Sequence, residues 1–137
     1  VTMLQERIAI TDNVVALPFA QVDVPDAAYV YDTLSGASGS YVMPWAGFVV
    51  GFSVRHSADL TGGTITHRIL VNGTANTSYT ATTDDTNQQA TRKLPPGAVP
   101  FAAGDRLGMD ATKSGTVAPT TTDVDAVLFV VLTDMEF

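Results

Sequence analysis

A chain of 137 residues, 45% of them hydrophobic, is long enough to bury one core and too apolar to be disordered. Seven basic against fourteen acidic residues give a formal net charge of -7. That balance excludes the clustered cations that hold nucleic acid and disfavours an anionic membrane surface. The absence of cysteine excludes disulfides, thiol nucleophiles and cysteine zinc sites.

The elements read as strands throughout, because Gly, Pro and β-branched residues disfavour helices. Residues 1–10 contain Gln5, Glu6 and Arg7, so they lack the continuous apolar stretch of a signal peptide. The longest uncharged apolar run, residues 126–132, is far short of the ~20 residues a spanning helix needs. Residues 8–10, 14–17 and 27–31 are weak strand candidates, and SGASGS at 35–40 is a flexible loop. The first 40 residues are the least regular. They are read either as opening strands or as an arm, within residues 1–17, that reaches a neighbour.

The best-defined strand is 47–56, with Phe48, Val50, Phe52 and Val54 expected on one face. Pro44-Trp45 precedes it and is expected at the core edge. A second strand, 64–71, runs straight into Asn72-Gly73, a strong hairpin signal because both residues accept positive φ. The return strand is 75–81, followed by a polar loop at 84–87 and a strand at 89–94 that Pro95-Pro96-Gly97 stops. A short apolar step at 99–101 leads to an Ala103-Gly104-Asp105 turn and a strand at 106–111. Residues 112–122, rich in Thr, Ser, Gly and Pro, are expected to be a loop. The last strand, 123–133, has apolar residues on both faces of its later half, so that half is expected to be buried on both sides. About eight short strands in one domain spanning 1–137 predict an antiparallel β-sandwich of the jelly-roll type.

Catalytic chemistry finds little support. The two histidines are His56, expected near solvent at a strand end, and His67, expected to pack beside Ile65 and Ile69. No Ser stands in a G-x-S-x-G elbow. The near-paired acids Asp84-Asp85, Asp123/Asp125 and Asp134/Glu136 lack the aromatic-lined cleft that glycoside hydrolysis requires. No D-x-D-x-D-G calcium loop and no phosphate-binding glycine loop occurs. No catalytic residue, metal site or cofactor is therefore expected. Tyr29, Tyr31, Tyr41 and Trp45 suit a sugar-stacking platform, but packing or a subunit interface accounts for them better.

Charged residues make up only 15% of the chain, against about 25% in a typical soluble domain. Thr fills the gap at roughly one position in seven. Such a weakly hydrated surface reads as one meant to be covered by neighbours.

Three stretches, MPWAGFVVGFSVRHSADLTGGTITHRILVNGTA, LPPGAVPFAAGDRLGMDATKSG and DVDAVLFVVL, follow one another between residues 41 and 132. In this order they resemble the jelly-roll domains of bacteriophage virion proteins: capsid decoration (cement) proteins and the heads of head or tail fibres. The F-x-x-G-D-x-L portion, from Phe101 to Leu107, is similar to the late strands of trimeric C1q- and TNF-like jelly rolls. The resemblance covers about two thirds of the chain and rests on the order of weak pieces. It implies a structural homotrimer on the capsid exterior, tying capsomers of the major capsid protein together, with no nucleic-acid or membrane partner. It further implies that Gly104-Asp105 turns into the penultimate strand and that Val127, Phe129 and Val131 meet the trimer axis. An arm carrying Leu4, Arg7, Ile8 and Ile10 is expected to face the capsid. The alternative is a fibre or tail-tip module that binds a host-surface glycan through a groove at Trp45 or residues 112–122.

Overall fold

The computed structural model describes residues 14–133. Among them are eleven strands and no helix, arranged as two antiparallel sheets. The first sheet runs β1 (Val14–Gln21), β11 (Val124–Leu132), β4 (Gly47–His56), β8 (Gln89–Lys93), with β9 (Pro100–Phe101) pairing β4 further along. The second runs β2 (Tyr29–Val30), β10 (Arg106–Ala118), β5 (Gly62–Val71), β6 (Thr74–Ala75). There β3 (Tyr41–Val42) also pairs β10, and β7 (Ala81–Thr83) also pairs β5. Three strand positions are interrupted in this way, so the eleven segments fill about eight positions in an antiparallel β-sandwich.

Alternation along each long strand builds the core. On β11, Val124, Ala126, Leu128, Val130 and Leu132 are buried between the sheets. They meet Leu17 and Phe19 of β1 and Val49, Phe52 and Val54 of β4, and across the gap Ile65 and Ile69 of β5 and Leu107 and Met109 of β10. Such side chains contribute about 1.5–3 kcal/mol each when fully buried.

The Asn72-Gly73 hairpin forms as expected. Both residues take positive φ, 51° and 81°, and Val71 pairs Thr74 across the turn. The Gly104-Asp105 turn also leads directly into β10, the penultimate strand; the Asp105 carboxylate accepts the Ala102 amide at 2.8 Å and closes it.

Several expectations need correction. Residues 112–118 are strand, because β10 continues to Ala118. Thr112 and Ser114 pair Thr66 and Thr64 of β5, and the irregularity expected of a loop is confined to a bulge between Ser114 and Ala118. Thr suits an exposed pleated face, so its polarity misleads there. On β4, the expected single face of Phe48, Val50, Phe52 and Val54 is broken by a second bulge. Phe129 faces Gly51 while Val130 faces Val49, which leaves Val50 as the extra residue. The inward set is consequently Val49, then Phe52, Val54 and His56. The return strand at 75–81 is two short strands separated by a turn, where Asn76 Oδ1 accepts the amides of Ser78 and Tyr79. Trp45 stands out from the core edge at 40% exposure. His56 is buried rather than near solvent.

Candidate functional site

The outer face of the first sheet is where the sequence placed Val127, Phe129 and Val131, and strand register shows what surrounds them. Val131 lies between Val14 of β1 and Phe48 of β4. Phe129 lies between Ala16 and Gly51, with Lys93 of β8 beyond. Val127 lies between Pro18 and Ser53, followed by Thr91. Asp125 lies between Ala20 and Arg55, followed by Gln89. The face therefore grades from apolar at the Val14 end to charged at the Asp125 end.

Gly51 shapes the apolar end. It leaves a shallow depression of about 470 Å³ beside Phe129, lined also by Val14, Val50 and Lys93. Phe129 is 38% exposed and Val14 49%. Val127 and Val131 are half-buried by their neighbours on the sheet. Among the described residues the later half of β11 is thus covered fully on its inner side only, and the burial expected on both sides is not met there.

The outer face of the second sheet differs in character. Arg68 and Asp110 form a two-point ion pair there, at 2.9 Å and 2.6 Å. Thr64, Thr66, Thr112 and Ser114 surround it on β5 and β10, and exposed Val30 and Val42 lie only at its β2 and β3 margin. Lys113 pairs Asp26 at 2.6 Å. That contact, followed by the Val117 amide, holds the Asp26 carboxyl below its ordinary pKa.

Both histidines lie between the sheets. His56 Nε2 is 2.8 Å from the Thr83 hydroxyl and His67 Nε2 is 2.9 Å from the same oxygen. His67 Nδ1 is 2.6 Å from Tyr31 Oη, which is 3.3 Å from Tyr29 Oη. Tyr29 and Tyr31 pack edge to face with centroids 5.1 Å apart, as their shared strand face suggested. Burial pushes the His67 pKa down to about 3, with the neighbouring His56 adding to it, and burial also lowers that of His56. Thr83 escaped the sequence reading because nothing in its local pattern marks it; only the sheet packing brings it to both imidazoles.

Among the described residues no carboxylate is a hydrogen-bond partner of either histidine. Asp84 accepts the amides of Thr86 and Asn87 in its own turn. Asp123 accepts the Asp23 amide. Among the described residues no group of three His, Cys, Asp or Glu is placed to hold a metal ion. Trp45 is 40% exposed, and residues 112–118, once expected to be a loop, are strand. Leu4, Arg7, Ile8 and Ile10, like Asp134 and Glu136, lie outside the described residues.

No protein-family model matches the sequence, and no curated protein matches it. Solved structures that share the fold include two phage capsids. A chain of the acidic stable capsid structure of Helicobacter pylori bacteriophage KHP30 superposes with a TM-score of 0.54 at 11% identity, over 90% of this chain and 94% of that one. A chain of the cyanophage Pam1 capsid asymmetric unit gives a TM-score of 0.51 at 15% identity, over 88% of this chain and 86% of that one. At such identities the likeness is one of fold.

Proposed function

We propose that this chain is a non-enzymatic structural protein of a bacteriophage virion: a capsid decoration (cement) protein that sits on the shell exterior as a homotrimer and binds between capsomers of the major capsid protein. The observation that carries the reading is the apolar outer face of the first sheet, with Phe129 38% exposed at its centre. A lone sandwich has no use for that face, whereas a trimer buries it. The fold shared with chains of two phage capsid structures supports the virion setting. The strand order, with β1, β11, β4 and β8 opposed to β2, β10, β5 and β6, is the jelly-roll wiring we infer for it.

The proposed mechanism is adhesion by repetition. Each contact of about 800 Å² per partner is ordinary in strength, but a trimer makes several at once, and avidity multiplies them. Val127, Phe129 and Val131 would meet the three-fold axis. The segment with Leu4, Arg7, Ile8 and Ile10, which precedes β1 in the sequence, is the proposed capsid-facing arm.

Co-sedimentation with empty capsids of the cognate phage tests the reading. The full chain is expected to pellet with shells at a fixed stoichiometry. A chain lacking residues 1–12 should keep its oligomeric mass and lose the shell. Absence of the full chain from the pellet, under conditions where the shells are intact, would overturn the decoration role.

A further inference from the structure

The chain Tyr29–Tyr31–His67–Thr83–His56 crosses the sandwich from one sheet to the other. His56 belongs to β4 in the first sheet, while His67 on β5 and Thr83 on β7 belong to the second. A single hydroxyl thus ties the two sheets together through two imidazoles, with ring centroids 6.2 Å apart. His67 and Thr83 are 0% exposed and His56 is 4%.

The proton count of this chain is restrictive. Thr83 has one proton and two Nε2 partners, so in the neutral state one imidazole donates to it and the other accepts from it. Two proton orders satisfy the chain, running in opposite directions. A first extra proton on His67 leaves every bond complete, because Nδ1–H can donate to Tyr31 and Nε2–H to Thr83. It nevertheless places a cation in a buried site whose partners are all neutral. A second, on His56, makes both Nε2–H groups donors to the Thr83 oxygen, leaves the Thr83 proton without its acceptor and sets two cations side by side. Among the described residues His56 Nδ1 has no hydrogen-bond partner.

No carboxylate belongs to the chain. From the elements packed against it, Asp110 on β10 is committed to Arg68 of β5 on the outer face. Asp84 and Asp85 are turned to their own loop, and Asp123 holds the Asp23 amide. Arg55, next to His56, is exposed on the opposite side of β4. The remaining titratable neighbours are the phenols Tyr29 and Tyr31, which burial keeps protonated.

The weakest cover over the pair is β7. It is three residues long, pairs only β5, and holds the core by Ala81 and Thr83 alone. We propose that His56, Thr83 and His67 form an acid-sensitive closure: proton uptake by the imidazole pair lifts β7 away from the core and lets the imidazoles reach water, while the β1–β11–β4 sheet stays paired. The burial that depresses both histidines supports this direction. The device belongs to the single subunit and stands whether or not the subunit decorates a capsid.

Backbone amide exchange of the full chain tests it, measured at pH 7 and pH 4 and corrected for the intrinsic pH dependence of exchange. Exchange at residues 81–83 is expected to accelerate at least about 10-fold more than exchange in β11 on going to pH 4. In Thr83→Val, residues 81–83 should already exchange fast at pH 7 and show little further pH effect. If that variant fails to fold, the imidazole resonances of the wild-type chain decide: both histidines should titrate below 6.5, His67 the lower of the two. Equal acceleration of β7 and β11, or an ordinary His67 titration near 6.5, would overturn the proposal.

Discussion

Thr83 illustrates how much one side chain can hold. Its hydroxyl satisfies two buried imidazoles at once. Thr83→Val keeps the shape but strips both, and leaving buried polar groups unpaired costs about 1–3 kcal/mol each. We expect the variant to lose about 2–4 kcal/mol of unfolding free energy in urea titrations at pH 7. The sign of the pH dependence follows from the same burial. The folded-state pKa of His67 is depressed to about 3, so the unfolded chain binds more protons below its ordinary value of 6.5. Stability is fully present above pH 6.5 and is lost progressively as pH falls toward 3. Thermal unfolding across that window should show a falling midpoint, and His67→Gln should flatten the fall. A midpoint constant from pH 7 to pH 4 would contradict the neutral, buried imidazole. Nothing in the sequence marks this chain as a unit. His67 among Ile65 and Ile69 is legible as a core residue, but its link to His56 depends on two sheets closing over each other.

At the scale of elements, the long strands were the easiest to read. β4 matches residues 47–56, and β11 lies within 123–133, because alternation over nine or ten residues leaves little choice. The bulge at Val50 was hidden, since an apolar residue fits either face and only pairing with Phe129 and Val130 decides. The first part of β10 was read at 106–111, but its continuation over 112–118 was hidden for the opposite reason: the Thr and Ser residues there imitate a loop while pairing with the equally polar Thr64 and Thr66 of β5. Close approach of backbones makes Gly51 a sharp test. A Cβ there would lie 2.8 Å from the Arg92 carbonyl. Gly51→Val should therefore separate β8 from β4 and cost more than about 2 kcal/mol, read by chemical denaturation. The sheet edges are guarded as well. Pro18 stands within the edge strand β1 and has no amide to offer, and the Arg92 guanidinium on β8 lies 5.5 Å from the Tyr79 ring. Such devices discourage strand-to-strand addition, which leaves the face as the surface for association. Arg92→Val should increase aggregation in light scattering without changing which face joins the copies.

At the scale of the whole molecule, the two outer faces divide the labour. One carries the Arg68–Asp110 pair and a field of threonines; the other carries Phe129, Val131, Val14 and Phe48. The low charge content announced a surface short of water-seeking groups, but composition alone did not say where the shortage lay. In the structure Phe129 and Val14 are exposed together on one sheet, while Val22, Leu34, Val30, Val42 and Trp45 are exposed singly elsewhere. Phe129→Asp should cost the single chain only about 1–2 kcal/mol, since the ring is partly exposed, yet it places a charge at the centre of the proposed seam. The most direct measurement is the mass in solution, by light scattering on a sizing column, of the wild-type chain and of Phe129→Asp. The account predicts a wild-type particle of three 14.4 kDa chains and a folded variant of one. A wild-type chain that runs as a single 14.4 kDa subunit at tens of micromolar (roughly the range where an ordinary interface of standard size is filled) would contradict it.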